Sequence, residues 1–120
     1  MADHRIIIEM GMGNDLHGQD YTKAAARAIE DAIRHSTLPI FESTGLDHAI
    51  MQVAVTVGVQ DPERVDAEYL TSLLPRGKAT VTVTKGGLNV NNPETGETAV
   101  IATAAVEAFL PDQTGKWRLA

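Results

Sequence analysis

Arg5-Ile6-Ile7-Ile8-Glu9-Met10-Gly11-Met12-Gly13-Asn14-Asp15-Leu16-His17-Gly18-Gln19-Asp20-Tyr21 is the stretch whose reading sets the architecture. Residues 5–10 are a short β-branched run of the kind that forms a largely buried strand. Gly11 is expected to stop it. Residues 11–20 then place three glycines, two carboxylates, one imidazole and two amides in a single turn. Asp20 is suited to cap a following helix, because its carboxylate can accept an N–H that the helix leaves unpaired. From Tyr21, Ala25, Ala28, Ile29, Ala32 and Ile33 recur at helical spacing, with Lys23, Arg27, Glu30, Asp31 and Arg34 on the other face. This predicts a helix to about His35, closed before Leu38-Pro39.

Further along, Ile40 and Phe41 are expected to tuck a loop against the core, with a turn at Thr44-Gly45. Met51, Val53, Val55, Val57 and Val59 alternate with smaller residues, the cleanest strand pattern in the chain. Asp61-Pro62-Glu63 is a helix-start signal and Val65-Asp66-Ala67-Glu68 a second one. A short helix within 62–74 would turn Leu70, Leu73 and Leu74 inward. Residues 78–84 alternate as a half-buried strand. Lys85-Gly86-Gly87 predicts a tight reversal into Leu88-Asn89-Val90-Asn91, and Asn92-Pro93-Glu94-Thr95-Gly96 a second turn at the rim. Residues 97–109 carry Val100, Ala102, Ala104, Val106 and Ala108 in one parity and Ile101 and Phe109 in the other. Their Val, Ile and Thr content predicts a long strand over the competing Ala-rich helix. A turn at Pro111-Asp112-Gln113-Thr114-Gly115 and a tail with Trp117 follow.

The order is β-α-β-α-β-β-β. It predicts a single α+β domain over residues 1–120, a mixed sheet with both helices on one face. The sheet's other face is expected to meet a second copy of the chain, giving a homo-oligomer. With 120 residues, 43% hydrophobic and only 4% aromatic, the core must be built from Val, Ile, Leu and Ala. The absence of cysteine excludes disulfides and thiolate metal sites. A net charge of −6 without a basic cluster argues against nucleic acid. No apolar run has the length of a membrane span and no signal-peptide layout is present, so a cytoplasmic protein is expected.

Three chemistries suit the polar turn. Gly11, Gly13 and Gly18 ahead of a helix resemble an anion loop, but their spacing matches neither the dinucleotide nor the P-loop pattern, and Asp15 and Asp20 would repel phosphate. Asp15 and His17, two residues apart, form a candidate acid–base pair, with Asp15 orienting the imidazole. The bland alternative is that Asp15 makes a side-chain turn and His17 packs. His4, His17, His35 and His48 with Asp15, Asp20 and Asp47 supply possible metal ligands, none at diagnostic spacing, so no metal site is assigned. No cofactor is specified. Nucleophilic catalysis lacks both a cysteine and a serine elbow; Lys85 and Glu107 are lesser candidates. The expectation is a small polar metabolite bound at residues 11–20. Asp15 and His17 would be the catalytic pair, hydrolysis being one outcome, and Gly11, Gly13, Asn14, Gly18, Gln19 and Asp20 would hold the ligand. The alternatives are a non-catalytic ligand or metal module, or a purely structural oligomer.

Gly11-x-Gly13-x-Asp15-x-His17-Gly18 resembles the Gly-x-Gly-x-Asp-x-His-Gly hallmark of a small family of bacterial conserved hypothetical proteins, also found in plants. The resemblance implies that these five residues form the site and names no chemistry. The element order is similar to the chorismate-mutase-like and YjgF-like layout, which implies trimers with ligand clefts between subunits. The Ala-rich helix, with Asp47-His48 leading into Met51-Gln52-Val53, resembles a repeat unit of the ring-opening cyclic amide hydrolases (cyanuric acid hydrolase and barbiturase). Those enzymes are associated with Ser–Lys pairs, and no such pair can be placed in this chain.

Overall fold

The structure is a computed structural model that describes residues 4–34, 51–74 and 78–111. The expectations for His35, residues 36–48 (Asp47 and His48 included) and the tail with Trp117 lie outside them. The elements are β1 (His4–Asp15), α1 (Tyr21–Arg34), β2 (Gln52–Val59), a 3-10 turn (Pro62–Arg64), α2 (Ala67–Ser72), β3 (Lys78–Lys85), β4 (Leu88–Asn91) and β5 (Thr98–Leu110). Among the described residues this is the expected β-α-β-α-β-β-β order. The five strands form one sheet in the order β1-β5-β2-β3, with β4 also paired to β5. β5 is antiparallel to β1 and β2, and β3 is parallel to β2. So β1, β2 and β3 all run one way, with β5 reversed between the first two.

Alternation along β5 and β2 builds the core. Val100, Ala102, Ala104, Val106, Ala108 and Leu110 face the helices, beside Val53, Val55, Val57 and Val59. Ala24, Ala25, Ala28, Ile29 and Ala32 of α1 and Leu70 of α2 close over them. Ile33, Leu73 and Leu74 pack at the margin. Alanine keeps α1 thin, and the strand beneath it is thinner still.

That thinness corrects the first boundary. β1 does not stop at Gly11 but stays in register with β5 as far as the Asp15–Val100 pair. A Cβ on Gly11 would lie 2.5 Å from the Ala28 carbonyl oxygen and the Ala32 nitrogen, and one on Gly13 would strike the helix backbone at Ala24 and Ala28. These glycines serve the approach of helix to strand, a use of strand glycine distinct from a turn.

A second correction concerns Lys85-Gly86-Gly87. β4 is antiparallel to β5, as β2 is, so β4 runs in the same direction as β3 and no reversal occurs. The two glycines instead carry the chain sideways past the end of β2. The Gly86 N–H donates to the Val59 carbonyl at 2.9 Å. Gly87 has φ +62°, and a Cβ there would collide with the Ile101 carbonyl oxygen of β5. The true hairpin joins β4 to β5, where the Asn92 N–H donates to the Glu97 carbonyl at 2.7 Å.

The helix starts also divide differently. Asp61 precedes the 3-10 turn without a side-chain cap bond, whereas Asp66 caps α2 by accepting the Tyr69 N–H at 3.0 Å. Among the described residues no helix is long and apolar enough to cross a membrane.

Candidate functional site

The carboxyl ends of β1, β2 and β3 lie at one end of the sheet, because the three strands are parallel. Ligands of open sheets characteristically sit at such an end. Three connections meet there: residues 15–20, residues 60–66 and the glycine step at 86–87.

Asp15 organises the first. It is 3% exposed, and its Oδ2 accepts the Asp20 N–H at 2.9 Å while Oδ1 lies 3.8 Å from Lys23 Nζ. The bond closes a six-residue bend in which Gly18 (φ +90°) and Gln19 (φ +50°) are both left-handed. For Gln19 that conformation costs about 1–2 kcal/mol, so the bend depends on the carboxylate beneath it. Asp20 then caps α1 as expected: Oδ1 accepts the Lys23 N–H at 3.0 Å, and the backbone carbonyl accepts the Ala24 N–H at 3.1 Å.

His17 goes elsewhere. Its imidazole is exposed, and Nδ1 lies 2.8 Å from Glu97 Oε2. An ionised carboxylate only accepts, so Nδ1 carries the proton and, in the neutral ring, Nε2 is left as the basic nitrogen. Glu97 is itself held: its carbonyl accepts the Asn92 N–H, and its own N–H donates to Thr95 Oγ1 at 3.2 Å. The expected Asp15–His17 pair therefore divides in two. Asp15 supports the bend from inside, and Glu97 orients the imidazole from outside.

The other expected residues separate in the same way. Asn14 is the next-to-last residue of β1, where its carbonyl accepts Arg27 Nη1 at 2.6 Å. The neighbouring outward group, the Met12 N–H, donates to Asp31 Oδ2 at 3.0 Å. By the alternation of an antiparallel ladder, Gly11 and Gly13 turn their amides toward β5. They line the helix contact, not the bend. Gly18, Gln19 and Asp20 do share the bend with Asp15 and His17.

Several groups at this end escaped the sequence reading. Arg64 lies over the Tyr21 ring, 4.9 Å from its centroid, with Nη2 3.5 Å from the Gln19 carbonyl oxygen. The Tyr21 hydroxyl accepts Asn89 Nδ2 at 2.7 Å. Gln60 Nε2 donates to the Gly86 and Gly87 carbonyls at 3.1 and 3.2 Å. Glu97 is 80 residues from His17, and only the β1–β5 and β4–β5 registers bring them together. A groove of about 420 Å³ begins at Asp20 and runs along α1 past Lys23, Arg27 and Tyr69. Among the described residues, no group of three or more His, Asp or Glu side chains is placed to hold a metal ion.

A family model described as "Conserved hypothetical protein (Lin0512_fam)" matches residues 5–108. The chain is also similar to a crystal structure of an FtsZ-like protein of unknown function from Nostoc punctiforme PCC 73102. The two share 42% sequence identity with a TM-score of 0.81, over 93% of this chain and 99% of that one. A comparison with curated proteins found no match.

Proposed function

The chain belongs to the conserved hypothetical family Lin0512_fam, and we propose that it is a cytoplasmic protein that binds a small polar metabolite beside the bend at residues 15–20, with His17 as the proton-exchanging group. The observation that carries this reading is the 2.8 Å contact between His17 Nδ1 and Glu97 Oε2. An imidazole fixed by a carboxylate on one nitrogen presents the other as a base, an arrangement suited to general acid–base chemistry, hydrolysis included. Asp15 is then a positioning residue, since its carboxylate is committed to the Asp20 N–H and Lys23. Gly18, Gln19 and Asp20 supply backbone and side-chain groups around the ligand. Asp20 and Glu97 flank the site, which favours neutral or cationic guests over phosphates.

The layout is read as chorismate-mutase-like or YjgF-like, in keeping with the strand order and with both described helices on one face. The Nostoc protein, itself of unknown function, lends shape and no activity to this reading.

The test is ligand-detected and protein-detected NMR against a panel of small polar metabolites, with the His17 ring signals as the reporter. A binder should shift those signals and lose at least about tenfold in affinity, about 1.4 kcal/mol, in His17→Ala. Turnover of the bound compound would separate enzyme from binder. Ligands that bind His17→Ala as well as the wild type would refute the assignment.

A further inference from the structure

Both described helices cover one face of the sheet, and the register shows what the strands carry on the other. Met10 of β1 stands in a row with Ala105, Thr56 and Thr82 of the next three strands. Ile8 and Met12 flank it on β1, and Leu88 and Val90 extend the same face through β4. These five are exposed, Met10 at 68% and Leu88 at 59%. Among the described residues, Leu16 and Tyr69 are the exposed large hydrophobics that fall outside this face and the adjoining Ile6.

We propose that this face is the contact surface for a second copy of the chain, the two sheets packing face to face in a symmetric dimer. Size supports it. Four strands spaced about 4.8 Å apart, each eight to thirteen residues long with a rise of about 3.3 Å, give a footprint of roughly 500–800 Å². A standard stable interface buries about 800 Å² per partner.

Charge supports it as well. The chain carries −6, yet Glu107 is the one carboxylate that the strand registers place on this face among the described residues, where Arg5 Nη1 pairs with it at 3.0 Å; the registers also place Lys78 there, and Asp31 of α1 reaches its β1 edge. A self-complementary patch must lack a dominant sign, and interface centres are depleted in charge and enriched in methionine. Threonines at 56, 82 and 103 supply hydroxyls that can pair across the seam without fixed charge. Growth of the sheet along β1 is disfavoured at its carboxyl end, because Asp31 and Arg27 already take the outward groups of Met12 and Asn14. This inference stands independently of the ligand reading.

Sedimentation velocity on the full chain across a concentration series tests it, with Met10→Lys and Thr56→Lys as variants at exposed positions. The wild type should reach twice 12.9 kDa, and each lysine should weaken self-association at least about tenfold while circular dichroism stays unchanged. Peroxide oxidation of the wild type gives a readout that needs no variant: Met10 and Met12 should become protected as concentration rises. A chain that is monomeric throughout, two folded variants that associate as the wild type does, or methionines oxidised equally at all concentrations would each overturn the proposal.

Discussion

The Asp15 carboxylate accepts the Asp20 N–H at 2.9 Å, joining the end of β1 to the cap of α1. One bond thus fixes the bend that displays His17 and the start of the helix that packs over the strand. Asp15→Ala should lower stability by about 1–3 kcal/mol, since a half-buried N–H loses its acceptor. Asp15→Asn keeps an acceptor oxygen and should lose less. Chemical denaturation of the two variants checks the order.

Gly13 and Gly96 make a controlled contrast. Gly13→Ala would drive a methyl group into the α1 backbone, where neither strand nor helix can yield easily, and should cost at least about 2 kcal/mol. Gly96 has φ +76° with nothing near its vacant Cβ position. Gly96→Ala should cost about 1 kcal/mol through conformation alone. Urea midpoints would separate the two.

Asp66 and Asp61 look alike in sequence, each opening a helical turn, but only Asp66 caps. Asp66→Ala should lose about 1 kcal/mol. Asp61→Ala should stay within about 0.5 kcal/mol of the wild type. Paired thermal melts decide this.

His17→Ala should leave stability within about 1 kcal/mol of the wild type, because an exposed ion pair contributes little. Glu97→Gln should do the same while releasing the imidazole, which would appear as a change in the His17 tautomer by nitrogen NMR. A large loss of stability in either variant would mean that the pair is structural.

Much of the fold was legible because it rests on periodicity. The Val53–Val59 alternation, the helical spacing of Ala25, Ala28, Ile29 and Ala32, and the parity of Val100 to Ala108 each identify an element and its inward face. What escaped depends on partners remote in sequence. Gly11 and Gly13 read as a turn because glycine is a poor strand former, and nothing local discloses that α1 returns to lie against them. Gly86-Gly87 read as a hairpin because the two short strands it joins look like neighbours, whereas each pairs with a different strand. At the candidate site the bend and its cap were readable from Asp15 and Asp20. The carboxylate that meets His17 was not, because Glu97 reaches it only through two strand registers.

The pairing of β1 with β5 also governs how the chain must be made. β1 is made before the other described elements, and the strand that hydrogen-bonds it in the folded protein is the last element described. Ile6-Ile7-Ile8 must therefore wait until the chain has been made as far as β5 before their ladder forms. Contacts between such distant segments form late, and apolar stretches left unpaired meanwhile are prone to aggregate. Synthesis as far as β5 before β1 becomes protease-resistant is the expected signature, and a circular permutant that places β1 directly after β5 should fold faster than the natural order.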